Sequence, residues 1–99
     1  MMPGGLSETK CATPEVQLIA DKVKPQLENM ENCTYDIFEA IEYRSQVVAG
    51  VNYFIKVQVS ETEYVHLKVF EVLPSPDNDG PILTGFQTGK TRDDPLTFF

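Results

Sequence analysis

Apolar residues recur at Val16, Ile19, Ala20, Val23, Leu27 and Met30, in steps of three and four, while Gln17, Asp21, Lys22, Lys24, Gln26 and Glu28 fall elsewhere on the same helical wheel. That spacing predicts one amphipathic helix whose stripe faces a core. Thr13-Pro14-Glu15 supplies the start: a hydroxyl cap, a proline suited to the first helical position, and a carboxylate at the positive end of the dipole. The helix is predicted over 13–32, ending near Asn29–Asn32. Pro25 removes one internal hydrogen bond at a cost of about 3 kcal/mol. It lies off the stripe, so a kink rather than a stop is expected.

From Tyr35 onward the period changes from 3.6 to two. Residues 37–48 read as a strand with a bulge. Residues 51–59 alternate, with Val51, Tyr53, Ile55, Val57 and Val59 on one face and Asn52, Phe54, Lys56 and Gln58 on the other. Residues 64–73 alternate again through Val65, Leu67, Val69 and Leu73, and Ile82–Gln87 forms a further strand after a loop rich in Pro and Gly. A helix followed by successive hairpins is α+β: a single N-terminal helix against an antiparallel sheet of about five strands, one face packed and the other partly wet. Residues 1–12 read as an N-terminal arm, 13–32 as the helix and 35–99 as the sheet, all in one domain of 99 residues.

Charge narrows the partners. The net charge is −7, with only 8 Lys and Arg against 15 Asp and Glu. A basic face for nucleic acid or for an anionic membrane is not available, and no run approaches a membrane span. The Met1–Glu8 stretch has no leader-like pattern, which points to the cytosol. Cys11 and Cys33 match no metal or CxxC spacing. They flank the predicted helix, which would hold them about 30 Å apart, too far to bridge. Free thiols are expected.

Catalytic chemistry finds no support. His66 is the only histidine and lies mid-strand, where it reads as a surface or half-buried residue. Glu61/Glu63 and Asp93/Asp94 read as solvated turn positions. No phosphate-binding loop, metal site, catalytic residue or cofactor is expected.

The informative stretch is Gln46-Val47-Val48-Ala49-Gly50. A strand running unbroken from 37 to 59 would extend roughly 70 Å or more, too long for a domain of this size, so a turn is expected here. Its tip would be apolar where hairpin tips are normally polar. Such a tip either binds a partner or tucks beneath the chain's own arm. Leu73-Pro74 opens the Pro-rich loop, and Gly4-Gly5 in the arm would let backbone approach another surface closely.

With Pro3-Gly4-Gly5, Thr13-Pro14-Glu15-Val16, Lys22-Val23-Lys24-Pro25-Gln26-Leu27, Gln46–Tyr53, His66–Phe70, Leu73-Pro74 and Asp93–Thr97, the chain resembles the stefins, the type 1 cystatins, along its whole length. The resemblance implies a curved antiparallel sheet wrapped around the helix. It implies reversible, tight, non-covalent inhibition of papain-like cysteine proteases, including lysosomal cathepsins, through a tripartite wedge. Pro3, Gly4 and Gly5 would follow one side of the protease cleft; Gln46, Val47, Val48, Ala49 and Gly50 would sit over its centre; Leu73 and Pro74 would reach the other side. A monomer is expected. The alternative reading is an assembly protein, in which opening the 46–50 turn swaps strands between two copies. Three features depart from the family pattern: Cys11 and Cys33 are not motif residues, the second loop is unusually rich in proline, and Phe98-Phe99 is apolar enough to pack onto the sheet.

Overall fold

The Thr13 hydroxyl accepts the Val16 N–H at 3.2 Å and opens helix α1, Pro14–Glu31. Asn32 closes it in the left-handed conformation, φ 55° and ψ 42°, a geometry asparagine tolerates better than most residues. The helix continues through Pro25. That residue lies on the exposed flank, where water can reach the carbonyl left without an N–H donor. The computed structural model describes residues 7–47, 50–71, 80–97 and 99.

The strands are β1 (Lys10–Cys11), β2 (Glu39–Val47), β3 (Val51–Gln58), β4 (Tyr64–Glu71) and β5 (Ile82–Lys90), in one antiparallel sheet of order β1-β2-β3-β4-β5. The expected bulge in the first long strand falls between Ala40 and Glu42. Strand β2 begins at Glu39, and Ile37 before it is exposed. One face of the sheet packs Ile55, Val57, Val65, Leu67, Val69 and Leu83 against Val16, Ile19, Ala20, Val23 and Leu27 of α1. Met30 completes the stripe in sequence but is 56% exposed, because the last helical turn runs past the sheet-facing cluster.

Two glutamines fasten the helix to the sheet. Gln17 Nε2 donates to the Phe38 carbonyl at 3.0 Å while its Oε1 accepts the Ala40 N–H at 2.8 Å. Gln26 repeats the arrangement on β5, donating to the Pro81 carbonyl at 3.2 Å and accepting the Leu83 N–H at 2.9 Å. At about 100° per residue, these side chains leave opposite flanks of α1. Anchoring to strands near both ends of the sheet requires the sheet to curve around the helix.

The opposite sheet face is partly wet, as expected, with Ile82 51% exposed at its edge, but its centre is covered. Phe54, Lys56, Tyr64 and His66 are buried there, and Leu96 of the C-terminal segment is buried with them. Lys56 Nζ donates to the carbonyls of Arg92 at 2.6 Å and Asp94 at 2.7 Å, and pairs with Glu42 at 3.1 Å. Arg44 Nη1 holds the Leu96 carbonyl at 2.8 Å, and Phe99 meets Phe54 edge-on at 5.6 Å. The apolar C-terminus thus packs onto the sheet, as its composition suggested. His66, expected at or near the surface, is fully buried for the same reason.

Candidate functional site at one end of the sheet

Strand register decides which loops are neighbours. Val47 pairs with Val51, closing a hairpin around residues 48–50, and Val51 pairs in turn with Glu71 at the end of β4. The base of the first hairpin therefore lies beside the strand end that leads into the second. The arm arrives at the same margin. Ser7 N–H donates to the Ser45 carbonyl at 2.8 Å, Ser45 N–H returns a bond to Ser7 Oγ at 2.9 Å, and Arg44 Nε donates to the Ser7 carbonyl at 2.8 Å. Ser7, Val47, Val51 and Glu71 are the described flanks of three separate stretches of chain, and they lie along adjacent strand ends.

Of the residues singled out from sequence, Gln46, Val47 and Gly50 are described. Pro3, Gly4, Gly5, Val48, Ala49, Leu73 and Pro74 lie outside the described residues. Gln46 Oε1 accepts from Asn52 Nδ2 at 3.0 Å, locking the register pair at the hairpin base. Val47 is 70% exposed, more than any other large apolar side chain among the described residues. Gly50 is buried at the start of β3. A Cβ there would stand 2.7 Å from the Glu71 carbonyl oxygen and 2.9 Å from Phe70 Cζ, so only glycine lets the first hairpin approach the end of β4 this closely.

Arg44 and Ser45 carried no expectation from sequence, and Asn52 and Phe70 entered only within the stretches that carry the family resemblance, with no role of their own. The available signal was the alternation itself, which places Asn52 and Phe70 on the face opposite the helix. What hid them was that a face expected to be partly wet does not say which of its positions are covered. Beneath the hairpin, on the helix side, the Tyr43 and Tyr53 rings lie 6.4 Å apart. Burial, with help from Glu71, raises the Tyr53 phenol above its ordinary pKa, so the hydroxyl stays neutral.

The arrangement offers contact rather than chemistry. His66 has no hydrogen-bond partner on either ring nitrogen and no exposure. Burial, then Lys56 and Lys90, lowers its pKa to about 4. It touches no solvent through which a substrate could reach it. Among the described residues, no group of three or more His, Cys, Asp or Glu could hold a metal ion. Cys11 and Cys33 are exposed free thiols, and among the described residues no helix is long and apolar enough to cross a membrane.

Comparison with known proteins adds a family. Residues 4–93 match the family model of the cystatin domain. The chain is 63% identical to Cystatin-A of Felis catus and 58% identical to Cystatin-A of Homo sapiens, each over 99 residues and the full length of both chains. It is 59% identical over 99 residues to a Sus scrofa protein named Leukocyte cysteine proteinase inhibitor 1, covering all of this chain and 95% of that one.

Proposed function

Because this chain belongs to the cystatin family, we propose that it is a reversible, tight-binding, non-covalent inhibitor of papain-like cysteine proteases, cathepsins among them, and has no catalytic activity of its own. The relative named as a cysteine proteinase inhibitor covers the whole chain. The observation that carries the reading is the convergence of the described flanks Ser7, Val47 and Glu71 at one end of the sheet, with Val47 projecting 70% exposed.

The physics of such a wedge is simple. A papain-like cleft is a groove that admits extended chain. Val47, Val48, Leu73 and Pro74 would lose water on docking. At roughly 60–100 Å² of buried surface apiece, each would contribute about 1.5–2.5 kcal/mol before the costs of association. A hairpin held by paired strands has little freedom left to lose. Gly4 and Gly5 of the arm, after Pro3, would let its backbone lie close against the enzyme. No peptide bond needs to enter the catalytic centre in a cleavable pose, so the inhibitor is released intact. The exposed free thiols Cys11 and Cys33 fit a reducing compartment, and the reading places the protein in the cytosol as a monomer.

The test is titration of active papain with the purified protein. Stoichiometric loss of activity, regained undiminished on dilution with the inhibitor chain uncut, is the expected result. Full papain activity at large molar excess would remove the reading.

A further inference from the structure

The first hairpin and the end of β4 meet at a single aromatic ring. Gln46, Asn52, Phe70 and Ile82 form one register row across β2, β3, β4 and β5. Register partners in an antiparallel sheet share a face, and the neighbouring row containing Val69 and Leu83 faces the helix. The Phe70 row therefore lies on the other side. At its β2 end the Asn52–Gln46 hydrogen bond clamps the hairpin base. At β4 the Phe70 ring stands against the backbone of Gly50, so close that a Cβ on that residue would fall 2.9 Å from Cζ and 3.1 Å from Cε1. Gly50 closes the first hairpin, and Phe70 is the penultimate residue of the strand leading toward Leu73-Pro74. One side chain thus abuts the base of one loop while belonging to the base of the other.

We propose that Phe70 is a positioning residue of the wedge: its ring, set against Gly50, fixes the separation between the base of the first hairpin at Gly50 and the end of β4 at Glu71. The inference rests on the inhibitory reading above and deepens it. Among the described residues, Gly50 is approached by the Phe70 ring, while Asn52 is engaged with Gln46; the bulky Tyr53 side chain lies on the helix side of the sheet. A groove of fixed width selects for a fixed spacing between the loops that enter it. Loss of the ring lets the two loops drift, and the complex with the protease dissociates faster. Association, governed by diffusion and gross shape, changes less.

The experiment compares the parent chain with Phe70→Ala, Phe70→Leu and Phe70→Met against papain, with association and dissociation rates measured separately. Each inhibitor concentration is corrected for its folded fraction, and each thermal midpoint is recorded. Phe70→Ala is expected to raise the dissociation rate by about tenfold or more, and Phe70→Leu by about threefold to tenfold. Phe70→Met, long and unbranched enough to reach Gly50, stays within about threefold of the parent. Should Phe70→Ala fold too poorly to measure, Phe70→Leu carries the test. A residue with a merely structural role would lower the thermal midpoint and leave the dissociation rate of the folded inhibitor unchanged, and that result overturns the proposal. A parent chain that leaves papain untouched removes the proposed function itself and this inference with it. A parent that inhibits alongside equally slow dissociation of the variants removes this inference alone.

Discussion

Lys56 lies directly opposite His66 across β3 and β4, and neither side chain reaches solvent. A cation and an unpartnered imidazole share one buried site because Lys56 spends its hydrogen bonds on the carbonyls of Arg92 and Asp94 and its charge on Glu42. The charged groups acting on His66 are Lys56 and Lys90, which disfavour its protonation, and Asp94 and Glu42, which favour it; burial outweighs them all. Its folded pKa of about 4 lies below the ordinary 6.5. The unfolded chain therefore binds the proton more readily, and stability rises with pH across this window. The His66 contribution is fully present above about pH 6.5 and is lost as pH falls toward 4. From pH 7 to 4.5 the loss is about 2–3 kcal/mol. Urea unfolding midpoints should show it, and His66→Leu should flatten the dependence over that range. Parent and variant falling in parallel would refute the assignment.

Removing the lysine exposes the other half of the arrangement. Lys56→Met keeps most of the aliphatic stem but abandons two backbone carbonyls and one carboxylate. Glu42 is one-third exposed and can rehydrate, so the expected destabilisation is about 2–3 kcal/mol rather than the larger cost of stranding a fully buried partner. Amide exchange should quicken first in residues 94–97, which the lysine fastens to the sheet. Unchanged protection there would show that Leu96, Phe99 and the Arg44 bond to the Leu96 carbonyl hold the segment without the lysine.

Gln17→Ala and Gln26→Ala each leave one backbone N–H and one carbonyl without a side-chain partner. Each should cost about 1–3 kcal/mol. The two act on opposite flanks of the helix and share no partner, so their effects should add to within about 0.5 kcal/mol. Chemical denaturation of the two single variants and the double variant checks both statements.

These glutamines also mark where the sequence stops being readable. The helix stripe, its Thr13 cap and its stop at Asn32 follow from spacing and local chemistry, and so do the alternating faces of β3 and β4. Gln17 and Gln26 looked like solvated polar positions, because nothing in a one-dimensional pattern says that a curved sheet brings backbone to both flanks of the helix. His66 read as surface or half-buried, and Lys56 as lying on the partly wet face, for a related reason. Their cover, residues 91–99, has no periodicity, and its docking depends on carbonyls of Arg92, Asp94 and Leu96 that any sequence would carry. At the candidate site, Gly50 was legible as a turn residue. Its tight contact with Phe70 and Glu71 was not, since that depends on the β3–β4 register.

For the arm, the proposed function makes Gly4 sensitive to bulk. Ser7 is fixed by its bonds to Arg44 and Ser45, so a residue three positions earlier in sequence begins from a defined anchor. Gly4→Arg should weaken papain binding by about tenfold or more, chiefly through faster dissociation. Stability should stay within about 0.5 kcal/mol of the parent. A dissociation rate equal to that of the parent would take the arm out of the mechanism.

Val47 gives the sharpest separation of binding from folding. Its side chain is 70% exposed, so the fold gains little from it, yet its backbone pairs with Val51 and holds the hairpin. Val47→Asp retains that backbone and places a carboxylate where the proposed interface is apolar. Burying the unpaired charge would cost several kcal/mol. Affinity for papain should therefore fall by about a hundredfold or more, while the urea midpoint moves by no more than the scatter expected of a surface substitution. A variant that inhibits as well as the parent would mean that this hairpin does not enter the cleft.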